Sequence, residues 1–156
     1  MRNGLAAGPL PQGLNLPGAA IIEKACLVPP TASPFLVYAI KVNETGSSLV
    51  PDVVSGDGGH GWMQLTSSYP DPGWADPYTN VLYAIQHFIL PAEDFWAGKG
   101  YQGYDLVRCI AADYNEGEGA AWRDHMAGDV DWHTTNHYAD RALAHYRALV
   151  GGKLPF

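Results

Sequence analysis

Apolar positions run almost without a break through residues 35–43, F-L-V-Y-A-I-K-V-N, and the stretch closes on Glu44, Thr45 and Gly46. Ser33-Pro34 precedes it, a hydroxyl at the cap position and proline at the first helical position. This predicts a helix over 34 to about 45, apolar nearly all round and therefore central and buried, with Gly46 as its stop. A shorter helix is expected from Ala19 to about Val28, closed by Pro29-Pro30. Residues 47–66 are Gly-rich with scattered β-branched positions and read as turns and small strands. Residues 67–79 carry three prolines and Gly73 and read as a loop. Asn80 is a candidate cap for a helix running to about Ala97, with a kink at Pro91. Asp105 is expected to open a further apolar helix through Ala112. Gly117 and Gly119 lead to a short helix around Trp122 that ends before Gly128. Thr134 or Thr135 caps a last helix that keeps helical spacing of Ala, Leu and Tyr to Val150. The pattern predicts a mainly α domain of α+β type: helices around a central buried one, with a small strand and turn lobe. Residues 1–17 read as an irregular N-terminal arm and 18–156 as one domain.

Bulk composition fits that size of core. The 156 residues are 47% hydrophobic and 12% aromatic, enough for one domain without disulfide or metal staples. Charged residues make up 16%, below the usual level of about a quarter. The net charge of −7 and the lack of a Lys/Arg cluster argue against a nucleic-acid partner. No run approaches a transmembrane span, so no stable membrane insertion is expected. The N-terminal M-R-N-G-L-A-A-G-P-L-P-Q-G lacks a continuous apolar segment of signal-peptide length. Synthesis in the cytoplasm is expected, with any export aided by another component. Cys26 and Cys109 form no zinc or disulfide pattern; each behaves as a small hydrophobe in apolar context, and spacing does not decide whether they pair.

Glu44 is the residue that changes the picture. A carboxylic acid at the end of a buried helix resists ionisation, and one that keeps its proton near neutral pH can protonate a glycosidic oxygen. Considered alone, Glu44 reads first as a solvated helix end, as most glutamates are; the apolar helix before it is what places it at a core boundary. Asp57, in the turn G-D-G-G-H-G, can supply the second carboxylate of a glycosidase or simply make a local turn. Asp52, after Pro51, is a weaker candidate for that role. Gly61-Trp62-Met63-Gln64 offers an amide for sugar contacts, or a buried strand. Tyr114 and Asn115, in A-A-D-Y-N-E-G, can orient the acid and bind a substrate amide, or anchor a core and stop a helix. His60 either lines a cleft or sits on an exposed loop. His133 and His137 are spaced i, i+4, but no glutamate follows His133 in the metalloprotease pattern and the stretch crosses a helix start. No metal and no organic cofactor is therefore expected.

Taken in order, E-[ST]-G, then G-x-M-Q, then A-x-Y-N-x-G, the chain resembles the goose-type lysozyme and soluble lytic transglycosylase superfamily over roughly residues 33–150. D-W-H-T-T-N-H-Y at 131–138 extends the resemblance more loosely. It implies a lysozyme-like fold and cleavage of the β-1,4 bond between N-acetylmuramic acid and N-acetylglucosamine. By the same resemblance Glu44 is the catalytic acid and Asp57 the water-positioning aspartate. Met63 and Gln64 then line the cleft, with Gln64 contacting sugar, Tyr114 and Asn115 are the tyrosine and asparagine near the acid, and peptidoglycan strands are the partner. Thr45 stands where most relatives have serine, and Trp62 where they have leucine. Thr66 falls where goose-type enzymes often carry a second aspartate, and Glu116 replaces a small residue. A hydrolase needs a second group to hold water, so Asp57 favours hydrolysis over formation of 1,6-anhydro-muramyl products. The expected setting is a monomeric bacteriophage lysis enzyme or virion-borne hydrolase acting on the bacterial cell wall. Its acidic charge is awkward there, because bacterial walls are themselves anionic. The rival from another class is a non-catalytic virion or wall-binding module of the same fold.

Overall fold

A computed structural model describes residues 3–66 and 73–156. In chain order it contains α1 (Ala19–Cys26), α2 (Pro34–Thr45), β1 (Gly59–His60), β2 (Leu65–Thr66), α3 (Pro77–Ala84), a π-helical turn (Ile85–Ile89), α4 (Leu90–Gly98), α5 (Gly103–Glu116), α6 (Glu118–Ala127) and α7 (Tyr138–Val150). The protein is mainly helical with one small antiparallel sheet, as its apolar pattern predicts.

Helix α2 is the central element. Every residue from Phe35 to Val42 is buried, and α2 packs against α1 and α7 while α5 packs against α4, α6 and α7. Its start follows the expected device: the Ser33 Oγ accepts from the Leu36 N–H at 3.3 Å, with Pro34 at the first helical position. Residues 3–17 have no regular structure, yet Leu5, Leu10 and Leu16 are buried in the common core. The Ala6 N–H donates to the Tyr146 hydroxyl at 2.6 Å, and the Leu10 N–H to Glu23 at 2.6 Å.

Four expected boundaries move, each for a local reason. Helix α3 starts at Pro77, because Asp76 accepts from the Thr79 N–H at 2.8 Å and proline follows it. This is the Ser33-Pro34 device repeated. The irregularity expected at Pro91 lies in the preceding turn, where the helix widens and the Leu90 N–H reaches the Ile85 carbonyl. A wider turn accommodates a ring that has no N–H to give. Helix α5 begins at Gly103 and runs through Asp113, Tyr114 and Asn115 to Glu116 before Gly117 ends it. Asp105 therefore sits in its first turn, where an acidic group favours the helix N-terminus. Helix α7 begins at Tyr138, after Asn136 and His137 adopt left-handed backbone. The cap position falls to His137 and neither threonine holds it, although the Thr134 Oγ1 accepts from the Tyr138 N–H at 3.0 Å.

The small lobe is held to the helices by Asn80, which is fully buried. Its Oδ1 accepts from the Met63 N–H at 2.8 Å and its Nδ2 donates to the His60 carbonyl at 3.1 Å. The chain reaches Asn80 through Gly61, at φ +69°, where an added Cβ would lie 2.4 Å from Asn80 Nδ2 and 2.7 Å from the Trp74 carbonyl oxygen. Gly61→Ala combines backbone strain with overlap against fixed groups, and we expect a loss of about 3 kcal/mol. Urea denaturation of wild type and variant checks it.

Cys26 and Cys109 are free and buried. Burial pushes both thiols up to about 12, so they pack as inert small side chains. Among the described residues no helix is long and apolar enough to cross a membrane.

Candidate active site

Glu44 lies in the last turn of α2, partly buried. Burial pushes its carboxyl up to about 7, and the nearby Asp57 charge adds to that. A hydrogen bond from Tyr138 and the Arg141 charge pull the other way without cancelling the shift. The Tyr138 hydroxyl donates to Glu44 Oε1. Tyr138 is buried at the start of α7, and burial together with the Glu44 charge holds its phenol well above the ordinary value. The phenol therefore donates a hydrogen bond without giving up its proton, which leaves Oε2 as the oxygen free to carry the transferable one.

Tyr138 is the site residue that the sequence alone did not single out. The orienting tyrosine was expected at 114. Instead the Tyr114 hydroxyl donates to the Met63 carbonyl at 2.6 Å, tying α5 to the lobe beside the acid. Burial, and after it the nearby Glu44 charge, hold the Tyr114 phenol well above its ordinary value. The D-W-H-T-T-N-H-Y segment held the available signal for Tyr138, but only the packing of α7 on α2 points its hydroxyl at Glu44.

Tyr138→Phe should lower turnover roughly tenfold. Because the lost hydrogen bond favours ionised Glu44, its removal should also move the alkaline limb of the activity profile to higher pH. Tyr114→Phe should leave that limb in place. Parallel pH–rate profiles of the two variants check both statements.

Asp57 is fully exposed in the turn before β1. The Ser55 hydroxyl donates to its Oδ1 and the Gly59 N–H does so at 3.4 Å. The Ser55 bond, then the Gly59 one, hold Asp57 below the usual carboxylate range. The two carboxyls are thus driven apart, Glu44 up and Asp57 down, which is how environment divides acid and base roles between two like groups.

The other expected residues are placed less uniformly. The Met63 side chain is fully buried in the core; it lines no cleft, and its backbone is what serves the site. Gln64 folds inward, its Nε2 donating to the Gly61 carbonyl at 2.7 Å and the Val53 carbonyl at 3.2 Å, so its amide braces the lobe. Asn115 Oδ1 accepts from the Thr135 N–H at 2.8 Å, linking α5 to the loop before α7. The His60 ring packs at a tilt of 34° against Trp74 with centroids 5.1 Å apart, and its Nδ1 lies 3.8 Å from Asp52. Trp62 is buried, and its carbonyl accepts from the Thr45 hydroxyl at 3.1 Å.

Lys41 ties down the turn that follows the acid. It is fully buried, one turn before Glu44. Its Nζ donates to the Gly46 and Ser48 carbonyls, each at 2.7 Å, and sits 5.3 Å from the centre of the Trp62 ring. Burial pushes its ammonium down to about 8.

A groove of about 430 Å³ opens between lobe and helices, lined by Gln64, Leu65, Phe88, Tyr114 and Asn115 among others. Glu44 is not part of its lining; Tyr114 connects the two. Comparison of the chain with protein-family models, curated proteins and solved structures finds no match.

Proposed function

We propose that this protein is a peptidoglycan glycosidase, a muramidase that hydrolyses the β-1,4 bond between N-acetylmuramic acid and N-acetylglucosamine. The observation that carries the reading is Glu44, whose carboxyl is raised to about 7 by burial and is gripped on one oxygen by Tyr138. Such a group is protonated below neutrality and can give its proton to a departing sugar oxygen. Asp57, ionised across the same pH range, is suited to steady positive charge at the sugar or to orient the attacking water. The groove that Tyr114 lines has a volume of about 430 Å³, in the range of small-ligand clefts, and the resemblance in motif order supplies the substrate class. The setting proposed is a bacterial cell wall attacked during phage lysis or entry, by a chain that needs no cofactor.

One observation favours a second reaction type. Asp57 is engaged by Ser55 and Gly59 in its own turn, so it also serves to shape that turn. A lytic transglycosylase needs only the one acid, because the sugar's own hydroxyl attacks. Mass spectrometry of digested peptidoglycan separates the two. Hydrolysis predicts reducing muramic ends, and an Asp57→Asn variant that stays folded but loses about a hundredfold in turnover. Anhydro-muramyl ends with full activity in Asp57→Asn would assign the transglycosylase reaction. No cleavage by the wild type would favour a wall-binding module.

A further inference from the structure

Asp131, His137 and Asp140 meet at the N-terminus of α7, each with one ligand-capable atom, and these atoms lie within 4.8 Å of one another. Asp131 comes from the loop after α6, His137 immediately precedes α7, and Asp140 lies in its first turn. Asp131 is only 2% exposed. Its Oδ1 is fully used, accepting from the Thr134 hydroxyl and from the Ala139 N–H at 2.9 Å. Its Oδ2 is buried with no hydrogen-bond donor. The Tyr138 N–H is already taken by Thr134.

A buried carboxylate oxygen with no donor is costly. What faces it is His137 Nδ1, 3.5 Å away. That gap is long for a hydrogen bond and close to the edge of a tetrahedron of ligands about 2.1 Å from a shared centre; the wider spread of the three atoms, up to 4.8 Å, requires the exposed His137 and Asp140 side chains to turn inward onto an ion. Asp140 completes a set of three. Its Oδ1 accepts from Arg108 Nε at 2.6 Å, and Arg108 Nη2 donates to Asp129 at 2.7 Å. The guanidinium fixes the Asp140 carboxylate through that bond. The carboxylates of Asp129, Asp131 and Asp140 outweigh its single positive charge. His133 takes no part, since its Nδ1 is engaged by Asp124 at 2.7 Å. The i, i+4 histidine spacing is therefore not what builds the cluster.

We propose that Asp131, His137 and Asp140 bind one first-row divalent cation, with zinc the best match to one imidazole and two carboxylates. The ion gives Asp131 Oδ2 its missing partner and ties the loop before α7 to the first turn of the helix. Tyr138, whose hydroxyl grips Glu44, is the next residue after His137, so the ion also steadies the candidate active site. The proposal does not rest on the glycosidase reading, because its test reads binding.

The experiment uses the full chain and zinc chloride alone. Calorimetric titration and thermal unfolding are run on wild type and three variants, with cobalt(II) absorption as a ligand-field check. His137→Asn keeps a residue type that tolerates left-handed backbone, Asp140→Asn removes a ligand charge, and His133→Asn is the control. We expect one zinc per chain and a raised Tm for wild type, unchanged in His133→Asn. Affinity should fall roughly tenfold or more in His137→Asn and in Asp140→Asn. Absence of saturable binding by the wild type overturns the proposal. So does binding that is undiminished in His137→Asn, or that disappears in His133→Asn.

Discussion

Glu44→Gln is expected to lower glycan cleavage by about 10²–10⁴-fold and at the same time to make the protein more stable at pH 8. The first effect follows from removing the proton donor. The second follows from the direction of the Glu44 shift, from an ordinary 4.5 to about 7. Between those values the folded state binds the proton that the unfolded state has released. Stability therefore falls as pH rises through this window, and the cost is fully present above it. Partial exposure moderates the cost to something on the order of 2 kcal/mol. Glutamine carries no charge and can still accept from Tyr138, so the variant escapes this penalty. Its Tm should exceed that of wild type by about 5 °C at pH 8, and the two should converge below pH 4.5. Activity loss without the pH-dependent gain would mean that the carboxylate is solvated in the folded state.

Lys41→Ala is expected to cost about 3 kcal/mol and to lower Tm by roughly 10 °C. The truncation removes a fully buried stem from the centre of the fold. It also strips the Gly46 and Ser48 carbonyls of the ammonium that both accept from. Those two carbonyls belong to the chain just past Glu44, so the end of α2 should loosen and turnover should fall with stability. Lys41→Met keeps the stem while losing the charge, and should recover part of the stability. Urea denaturation midpoints of the three proteins, compared at constant slope, test the ordering wild type above Met above Ala.

What could be read from the chain, and what could not, divides by distance along it. Helix α2 was legible because its signals are local: Ser33 and Pro34 at one end, Gly46 at the other, and apolar residues between. Asp76-Pro77 carries the same local signal and marks the true start of α3. Asn80 resembles a cap in isolation but is drawn into the lobe by Met63 and His60. Tyr114 and Asn115 lie before a glycine and look like a helix stop, whereas α5 carries them as its last turn. Tyr138 and Lys41 were beyond reach because their roles depend on contacts the chain order hides. One hydroxyl crosses from α7 to α2, and one ammonium is enclosed by a turn and an indole ring. Gln64 shows the reverse case, a groove residue whose type suits sugar binding but whose Nε2 is engaged by the Val53 and Gly61 carbonyls.

The most direct test is to follow the Glu44 side-chain carboxyl by carbon-13 NMR through a pH titration, with Glu44→Gln providing the assignment. A midpoint near 7 that coincides with the alkaline limb of glycan cleavage is the expected result. A midpoint near 4.5 would show an acid already ionised where it must donate, and would contradict the assignment of Glu44 as the proton source.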